Sequence, residues 1–205
     1  MPISISTRKS LPRSTADGAK RRVTARARIV LGVDPGTLVT GFGIIAGTPD
    51  RVELLEAGTI RNGSGQSMPI RLKRIYEGLQ ALIDRHHPDE FAIESAFYGK
   101  NAQSALKLGQ ARGVSILAAV EKEIPTAEYS PREVKQAVVG KGTATKEQVQ
   151  YMIRALLHLP RGTMQLDTSD AIAVALCHLQ RGVGASPRHQ DWSSFIAAHP
   201  ERVRP

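Results

Sequence analysis

The apolar run Ile29-Val30-Leu31-Gly32-Val33 stops abruptly at Asp34-Pro35-Gly36-Thr37. Branched side chains favour an extended strand, and Asp-Pro-Gly turns the chain, so Asp34 is expected at the end of a buried strand. Burying a carboxylate alone is prohibitive, so Asp34 requires a cation, hydrogen-bond donors or water. It either accepts hydrogen bonds from its own turn or is the first ligand of a metal or phosphate site. The choice depends on which other acids the chain brings to comparable positions.

The stretches Thr40–Ala46 and Val52–Ile60 read as two further strands, and their short connections predict an antiparallel meander with the first. Gly41 and Gly43 leave one face of the second strand nearly bare. A ligand or another backbone can approach closely there, or the strand bulges. Ile70, Leu72, Ile75, Leu79, Leu82 and Ile83 recur at helical spacing between Pro69 and Arg85. His86-His87-Pro88 ends that helix, and no third ligand stands at a spacing that would make the histidines a metal site. They suit the negative end of the helix dipole instead. Phe91-Ala92-Ile93-Glu94 is a short buried strand that again stops at an acid.

A long helix is expected over residues 101–121 and a fifth strand over Pro125–Tyr129. Three more helices follow, at Pro131–Val139, Lys146–His158 and Asp167–Arg181. This order predicts an α/β fold: a mixed five-stranded sheet, three strands antiparallel and the others parallel, with helices on both faces. A chain of 205 residues has ample length for one such core.

The net charge of +9 suggests a nucleic-acid partner, but its distribution matters. Residues 1–28 carry +7 of it and have no apolar periodicity, so they read as a disordered basic arm, with transit-peptide composition as the alternative. The body, residues 29–181, is nearly neutral at +1, and residues 182–205 read as a flexible tail. Residues 100–146 nevertheless hold eight Lys and Arg against four Glu, which sets a basic surface beside an acidic remainder. No apolar run approaches the length of a membrane span, and the single cysteine, Cys177, has no internal disulfide partner. A cytoplasmic location is the expectation.

Four acids stand apart from the solvated background. Asp34 and Glu94 each end an apolar strand, while Asp167 and Asp170 lie three apart at the start of an apolar helix and share a face. If the first and fourth strands are neighbours, all four meet. Carboxylates so gathered repel one another unless divalent cations neutralise them, and an all-oxygen ligand set favours Mg²⁺, with Mn²⁺ as a substitute. Two such ions about 3.5–4 Å apart clamp the attacking and leaving oxygens of a phosphodiester. Each acid also has a plainer role available: helix capping for Asp167 and Asp170, a salt bridge to a lysine for Glu94.

Taken together, Gly32-Val33-Asp34-Pro35-Gly36, Phe91-Ala92-Ile93-Glu94, the run NAQSALKLGQARG from Asn101 to Gly113, Val134 through Gly140, and Leu166 through Ala171 resemble the RuvC family of Holliday-junction resolvases. The resemblance spans Ile29 to Arg181 in order. It implies an RNase H-like fold and a homodimer that nicks two opposing strands of a four-way DNA junction, with the RuvA and RuvB branch-migration proteins as partners. Asp34, Glu94, Asp167 and Asp170 fall on the family's four acidic positions. Phe97 matches an aromatic that stacks on junction bases, although as a residue alone it is as well suited to a core. Lys135 and Lys146 match basic positions linked to the scissile phosphate.

Two other classes fit part of the pattern. An ATPase or sugar-kinase relative also places Asp-x-Gly-Thr after a first strand, but it needs a second Gly-rich phosphate turn, which the chain lacks. A non-catalytic junction-binding protein would not keep four acids in a DNA-facing groove, where they oppose binding. The small-residue strip Ala105, Gly109 and Gly113 either packs on the chain's own sheet or lets a second copy of the helix approach.

Overall fold

The computed structural model describes residues 26–95, 102–160 and 165–181. Ten elements follow in the order β1 (Arg28–Asp34), β2 (Val39–Thr48), β3 (Arg51–Arg61), α1 (Met68–His86), β4 (Glu90–Glu94), α2 (Ala102–Val120), β5 (Thr126–Tyr129), α3 (Pro131–Val139), α4 (Lys146–Leu156) and α5 (Leu166–Arg181). They build the expected mixed sheet, in the order β3-β2-β1-β4-β5. The first three strands form the antiparallel meander, and β4 and β5 join parallel to β1. Among the described residues no helix is long and apolar enough to cross a membrane.

The continuous apolar runs of β1 and β4 follow from burial on both faces, as parallel central strands require. Leu31, Val33, Phe91 and Ile93 point to one side, where α1 contributes Ile75, Leu79 and Ile83 and α2 contributes Ala111, Ala118 and Ala119. Val30 and Ala92 point to the other, against α5, with α3 and α4 outside it. Helix α5 is the centre of that layer, and its residues from Ala171 to Leu179 are all buried.

Close packing settles the bare face of β2. A Cβ on Gly41 would collide with the carbonyl oxygen of Asp167, and one on Gly32 with that of Ala171. On Gly43 it would stand 2.6 Å from Cγ1 of Ile172. The glycines therefore admit the backbone of α5, not a ligand. The α2 glycines do not pack on the sheet. The helix buries Ala111, Ser115, Ala118 and Ala119, while a Cβ at Gly109 or Gly113 would meet nothing within 4 Å, so the two glycines lie on its outward face.

Helix ends depart slightly from expectation. His87 takes a left-handed conformation, φ 46°, and caps α1 through its N–H to Ile83, while His86 Nε2 meets Glu56 Oε2 at 2.6 Å. The start of β1 departs more. Arg28, assigned from sequence to the basic arm, is the first residue of the strand and pairs with Gly47 of β2. The arm's first 25 residues and the tail from residue 182 lie outside the described residues.

Arg28 also explains a buried polar chain beneath α5. The Tyr129 hydroxyl lies 2.8 Å from Nδ1 of His178, whose Nε2 lies 2.8 Å from Oε2 of Glu90. Arg28 donates to both Glu90 oxygens at 2.9 and 2.7 Å and to the carbonyl of Leu179 at 3.0 Å. Burial holds the His178 imidazole below its usual pKa despite the Glu90 carboxylate, and pushes Tyr129 up to about 12. A neutral His178 that accepts from Tyr129 and donates to Glu90 satisfies every member. Removing Arg28 leaves Glu90 buried with a neutral partner only. Arg28→Ala, made in a chain that begins at residue 28, should therefore cost about 1–3 kcal/mol in chemical denaturation relative to that chain with Arg28 intact. Equal stability of the two proteins would mean that the Arg28–Glu90 pair contributes nothing.

Candidate active site

Parallel pairing of β1 with β4 sets Val33 beside Ile93, so the next residues, Asp34 and Glu94, emerge side by side at one end of the sheet. Their position is a matter of register: each is the first polar residue after a fully buried stretch, where the strand reaches the end of the sheet. Asp34 also pairs with Gly41 of β2, and Gly41 lies against the backbone of Asp167. The first turn of α5 therefore rests over the end of β1, and it carries Asp167 and Asp170. The condition that the sequence left open, adjacency of the first and fourth strands, is met.

No hydrogen bond among the described residues reaches the carboxylates of Asp34, Glu94 or Asp167, so neither the turn nor the capping alternative accounts for them. Asp170 is different: Lys146 Nζ binds its Oδ2 at 2.7 Å. Lys146 opens α4, and the reciprocal bonds of Thr145 and Gln148 fix that end of the helix. A second capping box, Ser130 with Glu133, fixes the start of α3 and so the placement of Lys135 one turn later. Glu94, Lys135, Lys146 and Asp170 together line an open cavity of about 250 Å³ whose floor is Val134, Val149 and Ala173. Of the expected site residues, only Phe97 lies outside the described ones.

The electrostatics record the crowding. Burial raises the Asp34 carboxyl to about 7, with the negative charges of Asp170 and Asp167 adding to the effect and Lys146 opposing it. Glu94 also reaches about 7, through burial first and then the charges of Asp34 and Asp170, against Lys146 and Lys135. The ammonium of Lys146 is held above its ordinary value, chiefly by its bond to Asp170. Two cations thus offset part of a four-acid cluster, and the remainder is met by protonation near neutrality.

A hard divalent cation fits this donor set, which is all carboxylate oxygen and short of positive charge. Among the described residues no three such groups stand close enough together to hold a metal ion as they are placed. Sequence reasoning did not find Gln165 and Arg61, which meet at 2.7 Å beside Asp167. No periodicity marks either residue, and only the packing of α5 on the sheet joins them.

The shifts of Asp34 and Glu94 carry a stability consequence. Folding retains protons on both groups that the unfolded chain, with ordinary values of 3.8 and 4.5, releases. Their contribution is full below those values and is lost as pH rises through about 7. In chelator, the melting temperature should therefore fall between pH 5 and pH 8. Asp34→Asn should flatten that fall and exceed the parent at pH 8 by on the order of 1–3 kcal/mol. A variant less stable than the parent at pH 8 would show that Asp34 is paired, not repelled.

Both the sequence and the fold have named relatives. The family model described as crossover junction endodeoxyribonuclease RuvC matches residues 30–178. A relative of that name from Salinibacter ruber is 44% identical over 176 residues, which covers 85% of this chain and 98% of the relative. Another from Saccharophagus degradans is 54% identical over 151 residues, or 74% of this chain and 87% of the relative. The solved structure of Thermus thermophilus RuvC in complex with a Holliday junction substrate superposes with a TM-score of 0.71 at 32% identity, over 74% of this chain and 92% of that one. A yeast mitochondrial Holliday junction resolvase shares the fold, with a TM-score of 0.53 at 13% identity, over 74% of this chain and 78% of the yeast one. With a family model that matches residues 30–178 and relatives at this degree of identity and coverage, the chain belongs to the RuvC family of crossover junction endodeoxyribonucleases.

Proposed function

We propose that this protein is a structure-specific endodeoxyribonuclease that resolves four-way DNA junctions by paired, symmetric nicks. The observation that supports it most is the meeting of Asp34 and Glu94 with the first turn of α5, in a chain that matches resolvases from residue 30 to 178. In this reading Asp34, Glu94, Asp167 and Asp170 hold divalent metal, Mg²⁺ by preference with Mn²⁺ as a substitute. Bound metal supplies the Lewis acidity that such hydrolysis needs at both the attacking and the leaving oxygen.

The protein's own groups divide the rest of the work. Asp34, central to the four, faces both halves of the cluster, while Glu94 and the Asp167/Asp170 pair flank it and orient the attacking water. Lys146 gives up part of its bond to Asp170 and, with Lys135, offsets charge that accumulates on the phosphate. Phe97 takes the stacking role that the family resemblance assigns, against an unpaired base. RuvA and RuvB are the expected partners at the junction, in a cytoplasm that keeps Cys177 reduced.

Paired nicks on one junction need two active sites related by a two-fold axis, and the outward face of α2 suits that role. Gly109 and Gly113 leave it bare, and Leu106, Leu117 and Val120 expose 67, 56 and 52% of their surface there, so it offers apolar area and close approach together. Gly109→Leu should shift the protein towards monomer by light scattering and abolish paired nicking while leaving its melting temperature near that of the parent. A dimeric Gly109→Leu protein would move the interface elsewhere.

Labelled four-way junction, linear duplex and RNA–DNA hybrid, each with and without Mg²⁺, test the activity itself. Symmetric nicks confined to the junction and to the metal-containing samples are the expected result. Cleavage of the hybrid as fast as the junction would make the protein a different RNase H-like nuclease. Asp34→Asn should lower junction cleavage at least 10³-fold and leave binding intact or tighter in low Mg²⁺, because one repulsive charge is gone. Near-normal cleavage by that variant would take Asp34 out of the metal site.

A further inference from the structure

The cations assigned so far, Lys135 and Lys146, flank the acids on one side only, the side of β4, α3 and α4. A third cation stands on the other. Arg61 closes β3, two strands away from β1. Register fixes its direction. Gly41 faces α5, Thr59 is the cross-strand partner of Gly41, and Arg61 follows two residues later opposite Val39, so both side chains share the α5 face. Two strand spacings put the Arg61 backbone about 10 Å from that of β1.

Its partners are unusual for an exposed arginine. Nη2 of Arg61 donates to Oε1 of Gln165 at 2.7 Å, and the Thr59 hydroxyl donates to the same oxygen at 3.4 Å. Gln165 is two residues before Asp167 in sequence, yet among the described residues no carboxylate forms an ion pair with Arg61. A neutral amide thus aims the guanidinium without cancelling its charge. One N–H is used, and among the described residues no second hydrogen bond engages the guanidinium's other donors. A charged fork held in one direction beside a nuclease site loses little freedom on meeting an anion, and its geometry suits phosphate oxygens.

We propose that Arg61 is a phosphate-binding positioning residue: tethered by Gln165 beside Thr59, it grips the backbone of the DNA strand on the β3 side of the four acids, opposite Lys135 and Lys146. The inference rests on the nuclease reading for its ligand and adds the second flank. A strand crossing the cluster is then held on both sides of the phosphate to be cut, which limits sliding along its own axis. The plainer role for the same contact is a strap between the end of β3 and the start of α5.

The two roles separate by salt dependence. Binding of labelled four-way junction and of linear duplex is measured in chelator from 50 to 300 mM KCl, on the order of the range where phosphate contacts are read. The proteins compared are the full chain and its Arg61→Gln, Arg61→Lys and Gln165→Ala variants. Loss of one phosphate contact reduces the slope of log K against log salt by about 0.9. Arg61→Gln should show that reduction on both DNAs, Arg61→Lys should keep the parent slope with binding several-fold weaker, and Gln165→Ala should keep the slope and weaken binding about two- to five-fold. Melting temperatures should be unchanged, since Arg61 and Gln165 are both exposed. An Arg61→Gln protein with the parent slope overturns the proposal, and a lowered melting temperature beside that slope identifies the strap. Gln165→Ala binding like the parent overturns the tether. A parent protein with no preference for junction over duplex would defeat the functional reading alone, because the duplex slope still reports the Arg61 contact.

Discussion

Everything at the acidic end of this molecule depends on one helix lying directly on the backbone of two strands. Side chains ordinarily hold a helix about 10 Å from a sheet. Gly32, Gly41 and Gly43 remove the spacers from β1 and β2, and α5 sinks until its carbonyls would touch any Cβ placed there. That contact fixes both the height and the rotation of α5. Its first turn is consequently set over the end of β1, and the acids at positions 167 and 170 inherit their place from three absent side chains. Larger residues in the same strands would keep the fold class but lift the helix, and with it half of the cluster.

The depth of that seat also explains why the cluster is charged at a cost. Asp34 and Glu94 lie at the boundary where buried strands meet solvent, and the helix covers them further. Burial comes first among the causes of their raised pKa values, ahead of the repulsion between acids. The protein offsets the strain locally with Lys146 and Lys135, and it fixes each lysine by capping the helix that carries it. Helix caps, which are usually discussed as stability devices, here decide where cations stand.

Much of this was legible in the chain. An apolar run that stops at an acid announces a strand end, and two such runs, Ile29–Asp34 and Phe91–Glu94, announced two. The helical period placed α1, α3, α4 and α5 to within a residue or two. Legibility failed where the answer depends on a neighbour in space. Gly41 and Gly43 looked equally suited to a ligand, a bulge or a backbone, because bare strand surface has no address. Arg28 read as the last residue of a basic arm, since its partner Glu90 lies 62 residues away. Glu90 stood just outside the expected strand Phe91–Glu94: a polar residue before an apolar run gives no sign that a histidine and an arginine await it. Gln165 and Arg61, 104 residues apart, had no local signal at all.

The bond from Arg28 to the carbonyl of Leu179 has a topological consequence. It ties the first residue of β1 to the last turn of α5, so the described fold begins and ends at the same point, at the far end of the sheet from the acids. From residue 28 to residue 181 the path is nearly a closed ring, fastened by the Arg28 contacts and by the Tyr129, His178 and Glu90 side chains. A ring of this kind has no intrinsic first residue. Joining its ends and opening it at an exposed turn, such as that between Thr48 and Arg51, would redraw the order of the elements without moving a carboxylate.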